Sequence, residues 1–310
     1  MTIQAALAEG KRLLKIHCPE ALIDTPDLDA TLLLAHTLLL SREKLILRWE
    51  DPIAEADYGE YLNLLERRRS GECIAYILGN KEFRGLQFTV NPNVLVPRPE
   101  TEILLEAAMD CIDSLAAQKV CNPSVLDLCT GSGALAISLK NERPQVYVTA
   151  SDISTEALET AYFNAALLLE DQRFFKGEQY LLGASVVNST RSVRFILSDL
   201  FEDIPEKFNI IISNPPYIPT GQLAALAPEL QREPRLALDG GEDGLALIRK
   251  IILQAEEHLL PNGVLLLEAS PEQMPEIKTL FERNCFRKVS VRKDLAGRER
   301  VISGYAAGCI

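Results

Sequence analysis

The stretch Val125-Leu-Asp-Leu-Cys-Thr-Gly-Ser-Gly-Ala-Leu-Ala136 joins an apolar run to a glycine-rich turn and then to a helix-forming run. Glycines in such a turn let backbone N–H groups approach a ligand closely. The next apolar run, 146–151, leads into Asp152, whose carboxylate can accept hydrogen bonds from both hydroxyls of a ribose. The stretch therefore predicts a strand, a turn and a helix around a ligand that contains a nucleoside.

Two classes of cofactor fit this turn. The spacing Gly131-x-Gly133-x-x-Ala136, with an acid about 20 residues further on, matches the dinucleotide fingerprint of nicotinamide oxidoreductases. Asp127 lies just before the turn, however, where a carboxylate would repel a pyrophosphate and attract a cation. Asp199 follows another apolar run and could accept a hydrogen bond from an adenine amine. Three acids favour S-adenosylmethionine, which carries a sulfonium and an ammonium group, and the oxidoreductase stays an alternative.

Residues 210–217 read Ile-Ile-Ile-Ser-Asn-Pro-Pro-Tyr, an apolar run that ends in a proline-rich turn. A residue before proline is extended, and proline itself has no N–H. The turn therefore offers two acceptors, the Asn214 side-chain oxygen and the Pro215 carbonyl, for the two N–H bonds of a planar NH2 group. We expect Tyr217 to lie against the flat face of that group. A side-chain amide and the exocyclic amine of a nucleobase both have this shape.

Apolar runs of strand length alternate with helical patterns from residue 99 onward, which predicts a mostly parallel, seven-stranded sheet with helices on both faces. Ligands bind at the carboxyl ends of the strands in such sheets, where all the acids and Asn214 fall. The predicted strands lie near 125–128, 146–151, 194–197, 208–213, 264–268, 286–292 and 300–306. The predicted helices lie near 101–117, 134–141, 155–169, 243–259 and 271–283.

The chain is predicted to have three parts. Residues 1–78 show helical patterns throughout and form an N-terminal all-α domain. Residues 79–98 contain alternating apolar residues and are predicted to form a β-hairpin linker with its turn at Asn91-Pro92-Asn93. Residues 99–310 form the α/β domain. Arg67-Arg-Arg69 is interpreted as a solvated helix end.

Composition narrows the class of protein. The 310 residues are 47% hydrophobic and 25% charged, as in globular enzymes, and the net charge of −12 argues against a broad nucleic-acid-binding surface. The seven cysteines include no Cys-x-x-Cys pair, so we expect no metal site and a reducing, cytoplasmic location. The apolar run 31–40 is too short to span a bilayer, and 171–192 is polar enough to be a surface insertion.

Beyond these individual motifs, the chain resembles the HemK/PrmC family over nearly its whole length. Members of that family are N5-glutamine methyltransferases of peptide chain release factors, with a helical N-terminal domain, a hairpin linker and a class I S-adenosylmethionine-dependent methyltransferase domain. The matching segments are Gly71-Glu-Cys-Ile-Ala-Tyr-Ile-Leu-Gly79, Phe83-Arg-Gly-Leu-Gln-Phe88, Val96-Pro-Arg-Pro-Glu-Thr-Glu102, Leu126-Asp-Leu-Cys-Thr-Gly-Ser-Gly133, Asn214-Pro-Pro-Tyr217, Glu233-Pro-Arg-Leu-Ala-Leu-Asp-Gly-Gly241 and Lys293-Asp-Leu-Ala-Gly-Arg298.

The resemblance implies the activity and the residues that perform it. The substrate would be the glutamine of the Gly-Gly-Gln motif in a class I release factor, and residues 1–78 would recognise that partner. The catalytic residues would be Asn214, Pro215 and Tyr217, and these three together with Pro216 would bind the substrate. S-adenosylmethionine would bind at Asp127, Cys129, Thr130, Gly131, Ser132, Gly133, Asp152, Asp199, Leu200 and Asn214, without a metal. Neither nucleic acid nor a membrane is an expected partner.

Three departures from the family pattern bear on the site. Cys129 replaces a glycine of many relatives, which requires a negative φ at this residue. Ala269-Ser270 replaces the usual hydrophobic residue and glycine after Glu268, and the insertion 171–192 is long.

The alternative functions are glutamine methylation of a ribosomal protein, N6-adenine methylation of nucleic acid, and binding of S-adenosylmethionine by a non-enzymatic adaptor.

Overall fold

The computed structural model describes residues 1–16, 23–169 and 193–307, so the predicted insertion lies outside the described residues. The α-helices are α1 (Ile3–Lys15), α2 (Pro26–Thr37), α3 (Arg42–Leu47), α4 (Glu55–Arg69), α5 (Ile74–Leu78), α6 (Thr101–Ala117), α7 (Ala134–Glu142), α8 (Thr155–Leu168), α9 (Ala246–His258) and α10 (Met274–Arg283). The strands are β1 (Asn80–Phe83), β2 (Leu86–Thr89), β3 (Ser124–Leu128), β4 (Tyr147–Asp152), β5 (Arg194–Leu197), β6 (Phe208–Ser213), β7 (Leu259–Glu268), β8 (Arg287–Lys293) and β9 (Glu299–Tyr305). No helix in the described ranges is long and apolar enough to cross a membrane.

The chain divides into two compact units. The first contains Met1–Asn80 together with a separate segment, Ala224–Glu233, and the second contains the rest of the described chain. The expected boundary at residue 78 lies close to the division at Asn80, and most of the predicted linker falls in the second unit. Nothing in the sequence pattern predicts that Ala224–Glu233 joins the helical unit.

The helical unit is held together by an apolar core in which α1, α2 and α4 pack against one another. Tyr61 of α4 is fully buried there, and its hydroxyl donates a hydrogen bond to the Ala30 carbonyl at 3.1 Å. Gly10 of α1 faces the Tyr61 ring so closely that a Cβ atom would overlap the hydroxyl. The glycine therefore permits the close approach of α1 and α4, although glycine weakens a helix.

A buried arginine links three parts of this unit. Arg68 donates hydrogen bonds to Asp29 Oδ2 at 2.7 Å and to the Glu72 carbonyl at 3.0 Å, and it pairs with Glu229 Oε1 at 2.6 Å. The side chains of Arg68 and Asp29 are only 4% and 3% exposed. The interpretation of Arg67-Arg-Arg69 as a solvated helix end is therefore wrong for Arg68, which fastens Ala224–Glu233 to α2 and α4.

The hairpin forms earlier in the chain than expected. β1 and β2 pair as a two-stranded sheet joined by Arg84 and Gly85, which have φ values of 51° and 75°. Two consecutive positive φ values define the tight hairpin turn that matches the strand twist. A turn does form at Asn91-Pro92-Asn93, where Val94 N–H donates to the Asn91 carbonyl at 3.1 Å, but its prediction as the turn of the hairpin is wrong.

The second unit is built on the predicted sheet, which is confirmed. Within the described residues, seven strands pair in the order β5-β4-β3-β6-β7-β9-β8, and only the pairings made by β9 are antiparallel. Leu128 at the end of β3 lies beside Ser151 of β4 and Ser213 of β6. Apolar clusters cover both faces of the sheet. The register brings the ends of three central strands to one edge.

Removing Arg68 tests its role in the helical unit. Arg68→Ala leaves the buried Asp29 carboxylate without a charged partner, since only the Thr25 hydroxyl still donates to it, so we expect the free energy of unfolding to fall by about 3–5 kcal/mol. Arg67→Ala is the matched control: Arg67 also pairs with an acid, Glu72, but is 45% exposed, and its loss should cost within about 1 kcal/mol. The single tryptophan, Trp49, lies in this unit, so its fluorescence during denaturation reports the measurement. Equal losses in both variants would contradict the assignment.

Candidate active site

A cavity of about 260 Å³ opens at the carboxyl ends of the central strands. Seven of the residues expected in the site line it: Cys129, Gly131, Asp152, Asp199, Leu200, Asn214 and Pro216. Five others do not line it, namely Asp127, Thr130, Ser132, Gly133 and Pro215, and neither does Tyr217. Because ligands of parallel α/β sheets bind at this edge, the cavity is the candidate active site.

The glycine-rich turn between β3 and α7 combines three residues with positive φ. Cys129, Gly131 and Gly133 have φ values of 59°, 55° and 81°. The expectation of a negative φ at Cys129 is wrong, so this residue holds a conformation that costs an L-residue about 1 kcal/mol or more. A Cβ atom on Gly133 would lie 2.7 Å from Ile137 Cδ1, whereas one on Gly131 would meet nothing. Gly133 is thus required for packing, and Gly131 leaves space at the cavity.

Asp127 lies beneath the turn and is fully buried. Its Oδ2 accepts hydrogen bonds from the Thr130 hydroxyl at 2.7 Å and from Ala136 N–H at 3.2 Å. Its Oδ1 has no hydrogen-bond partner among the described residues. Burial raises the pKa of Asp127 to about 7. The carboxyl group therefore holds the shape of the turn, and one unpaired oxygen could still stabilise a cation nearby.

Asp152 at the end of β4 is fixed by the backbone on both sides. Gly131 N–H donates to Asp152 Oδ2 at 2.9 Å, and Ser154 N–H donates to Oδ1 at 3.0 Å. Burial raises the pKa of Asp152, which these two hydrogen bonds partly offset. Each carboxylate oxygen can accept a second hydrogen bond, so the group stays able to bind two ribose hydroxyls.

Asp199 and Leu200 follow β5 and border the same cavity. Asp199 is exposed, and its carboxylate is accessible to a ligand. Leu200 is only 7% exposed, has a φ of 51° and packs in the apolar cluster beneath. The cavity thus has an acidic rim over an apolar floor, which suits a nucleoside with a polar edge.

The Asn-Pro-Pro-Tyr turn begins as β6 ends. Asn214 lines the cavity, and its Nδ2 donates a hydrogen bond to Thr101 Oγ1 at 3.1 Å. The Asn214 Oδ1 atom is therefore the side-chain acceptor left for a ligand. Pro215 is buried behind the lining, and Tyr217 packs against the apolar cluster instead of lining the cavity. Burial raises the pKa of Tyr217 to about 12, so its hydroxyl stays protonated.

Two segments that were not expected from the sequence pattern also line the cavity. Asn93, Val94 and Leu95 come from the turn after β2, and Pro234, Leu236 and Ala237 come from the segment after Ala224–Glu233. A signal for the second segment exists in the sequence, because Glu233–Gly241 is one of the stretches that match the family. A Cβ atom on Gly240 would lie 2.8 Å from Tyr217 Cα, so the glycine of that motif permits close packing against the Asn-Pro-Pro-Tyr turn.

No group of three or more His, Cys, Asp or Glu side chains in the described ranges is arranged to hold a metal ion. The cavity lining instead combines two carboxylates, Asp152 and Asp199, with one cation, Lys250. Asp127 adds a third carboxyl group near the turn, although it does not line the cavity, and its Oδ1 has no hydrogen-bond partner among the described residues. This donor set fits a cationic nucleoside derivative such as S-adenosylmethionine.

The order of strands and the position of the cavity define a class I S-adenosylmethionine-dependent methyltransferase fold. Among solved structures, the hMettl16 catalytic domain in complex with MAT2A 3'UTR hairpin 6 is similar, with a TM-score of 0.50, 13% identity, and coverage of 81% of this chain and 82% of that chain. At that identity the likeness concerns the fold alone. A sequence profile described as methyltransferase small domain matches residues 109–182.

Relatives identify the family within this fold. A profile described as PrmC N-terminal domain matches residues 5–79. The release factor glutamine methyltransferase of Burkholderia pseudomallei is 41% identical over 91% of this chain and 92% of its own length. That of Deinococcus radiodurans is 37% identical over 92% and 93%. The chain belongs to the release factor glutamine methyltransferase family.

Replacing Asp152 tests the expected ribose contact. Asp152→Ala should weaken binding of S-adenosylmethionine by about 1.5–3 kcal/mol, the scale for charge-assisted hydrogen bonds. S-adenosylhomocysteine has the same ribose but no sulfonium charge, so calorimetry should give an equal loss for both ligands. Glu202→Ala removes an exposed acid outside the cavity lining and should change neither affinity. A loss confined to S-adenosylmethionine would mean that Asp152 acts through its charge and not on the ribose.

Proposed function

We propose that this protein transfers a methyl group from S-adenosylmethionine to the side-chain amide nitrogen of the glutamine in the Gly-Gly-Gln motif of class I release factors. The observation that carries the proposal is the position of Asn214: its Oδ1 is left free at a cavity that Asp152 and Asp199 also line. An acceptor for an NH2 group thus lies beside a site suited to a cationic nucleoside. Membership of the family supplies the substrate class.

Asn214 and Pro215 would compensate for the low nucleophilicity of the substrate amide nitrogen. The lone pair of an amide nitrogen is delocalised into its carbonyl group, so the nitrogen is a weak nucleophile. Asn214 Oδ1 and the Pro215 carbonyl would accept its two N–H bonds and orient the nitrogen for attack. The same two acceptors favour the positive charge that develops on the nitrogen during transfer. S-adenosylmethionine supplies an electrophilic methyl group on its sulfonium.

The residues that would hold S-adenosylmethionine divide by the part of the ligand they contact. Asp152 would bind the ribose, and Asp199 and Leu200 would bind the adenine. The turn Cys129–Gly133 would face the methionine portion, and the buried carboxyl of Asp127 would support its cationic groups from below. The proposed partners are translation proteins, so the proposal includes a cytoplasmic location.

Methylation of a ribosomal protein or of adenine would need a different partner at the same acceptor. The release factor glutamine methyltransferases of Burkholderia pseudomallei and Deinococcus radiodurans, as relatives, do not favour either alternative. Purified protein mixed with labelled S-adenosylmethionine and unmethylated release factor should label only the glutamine of the Gly-Gly-Gln peptide, located by mass spectrometry. A release factor with Gly-Gly-Glu in that place is the matched control. Label on ribosomal protein or duplex nucleic acid, with none on release factor, would refute the proposal.

We also propose that the helical unit recognises the release factor. Several large apolar side chains in and beside α3 are exposed: Ile46 by 56%, Leu47 by 84% and Trp49 by 42%. Clustered exposed apolar side chains are typical of protein-binding surfaces. They would provide contacts to the body of the release factor, away from its glutamine.

Substitution of Asn214 tests the chemistry. Asn214→Ala removes the side-chain acceptor, so turnover should fall by about 10²–10³, the scale for one preorganised polar contact. Asn214→Asp keeps an acceptor but adds a negative charge and removes the donor to Thr101, and should orient the amide less well. Because Asn214 lines the cavity, affinity for S-adenosylmethionine is measured in parallel. Full turnover in the alanine variant with unchanged affinity would show that Asn214 does not orient the amide.

Substitution at the surface separates recognition from chemistry. Leu47→Ser should raise KM for intact release factor about 10-fold, the effect of losing about 1.4 kcal/mol of contact energy. Turnover of a short Gly-Gly-Gln peptide should not change, because the peptide reaches only the cavity. Leu253→Ser on α9 is the matched control, since Leu253 is 69% exposed but lies in the other unit. If both variants lower activity on intact release factor alike, α3 is not the recognition surface.

A further inference from the structure

Three side chains, Asn214, Thr101 and Glu268, are connected in a chain by hydrogen bonds on the side of Asn214 away from its free oxygen. Asn214 Nδ2 donates to Thr101 Oγ1 at 3.1 Å, and the Thr101 hydroxyl is hydrogen-bonded to the Glu268 carboxyl group. Thr101 begins α6 and is 5% exposed, and Glu268 ends β7 and is 1% exposed. Because Ser213 of β6 lies beside Leu267 of β7, the residues that follow them, Asn214 and Glu268, are neighbours at this edge of the sheet.

The number of hydrogens in this chain decides which way the amide points. A threonine hydroxyl has one hydrogen to donate, and an ionised carboxylate can only accept. When Glu268 is ionised, Thr101 must give its hydrogen to Glu268 and can then only accept from Asn214. The Asn214 NH2 group is thereby turned to Thr101, and its oxygen is turned to the other side.

We propose that Thr101 and Glu268 are positioning residues, which keep the Asn214 side-chain oxygen directed at the amide of the substrate glutamine. This inference rests on the proposed function of Asn214. A neutral Glu268 could donate to Thr101, which would let Thr101 donate to the Asn214 oxygen. The amide would then rotate and present N–H groups to the N–H groups of the substrate, and only the Pro215 carbonyl would be left to accept from them.

The surroundings of Glu268 place this change near neutral pH. Burial raises the pKa of Glu268 to about 7. Arg300 of β9 and Arg98, ahead of α6, favour the ionised form, whereas Glu100 disfavours it. Tyr217 also interacts electrostatically with this group, and Oε2 of Glu268 has no hydrogen-bond partner among the described residues. Glu268 is therefore ionised above about pH 7, and turnover should rise as the pH is raised through that value.

Threonine variants test the hydroxyl. Thr101→Val removes both hydrogen bonds at nearly constant volume, so turnover of a Gly-Gly-Gln peptide should fall by about 10–100-fold, the scale for a misplaced catalytic group. Thr101→Ser restores the hydroxyl and should recover most of this loss. In Thr101→Val, preference for the Gly-Gly-Gln over the Gly-Gly-Glu peptide in binding should also fall at least 5-fold, because a rotated amide can donate to a carboxylate. Thr279→Val, on the exposed face of α10, is the matched control.

A variant of Glu268 tests whether ionisation of this residue controls the orientation of the Asn214 amide. In Glu268→Gln the rise in turnover through pH 7 should disappear, and turnover should be lower at pH 8. The NMR signal of the Asn214 side-chain NH2 group, assigned by its loss in Asn214→Ala, should shift through pH 7 in the wild type and not in Glu268→Gln. This signal needs no methyl transfer, so it separates the two proposals. An inactive wild type with a titrating signal would refute the proposed function alone. Unchanged turnover and peptide preference in Thr101→Val, or a signal that titrates in Glu268→Gln as in the wild type, would overturn the positioning role.

Discussion

The parallel pairing of β3 with β4 and β6 is the constraint on which the site depends. Leu128 lies beside Ser151 and Ser213, so the three strands end at the same level and release their loops into one cavity. The Ser213 hydroxyl donates to the Leu128 carbonyl at 2.8 Å where β3 and β6 end. A slip of one residue would move every side chain to the opposite face of the sheet and separate Asp152 from Asn214.

Two buried carboxyl groups near this edge of the sheet are each hydrogen-bonded to a threonine hydroxyl. Asp127 accepts a hydrogen bond from Thr130 beneath the glycine-rich turn, and Glu268 is hydrogen-bonded to Thr101 behind Asn214. Each has one oxygen without a partner among the described residues, and burial raises the pKa of each to about 7. Neither lines the cavity. Each is therefore placed to fix a neighbouring group, Asp127 in the glycine-rich turn and Glu268, through Thr101, at Asn214.

Local pattern was sufficient for much of this structure. The bounds of α6 and β6 were predicted from apolar periodicity, and Asp152 and Asn214 were placed in the cavity because parallel strands end at one edge. Interactions between residues that are distant in the sequence could not be predicted from local pattern. Arg68 is buried because Asp29 and Glu229, far away in the chain, accept its hydrogen bonds. The turn at Arg84 depends on a positive φ that arginine rarely adopts. The glycine-rich turn likewise depends on a positive φ at Cys129, which a non-glycine residue rarely adopts.

The path of the chain through Ala224–Glu233 has a consequence for biosynthesis. Residues 1–80 leave the ribosome long before this segment is made, so Asp29 and Arg68 first meet without Glu229. The helical unit is complete only after β3, β4 and β6 have been synthesised. Although it is encoded first, this unit is therefore among the later parts of the protein to reach its final form. A gene fusion that transplanted residues 1–80 alone would carry an unfinished module.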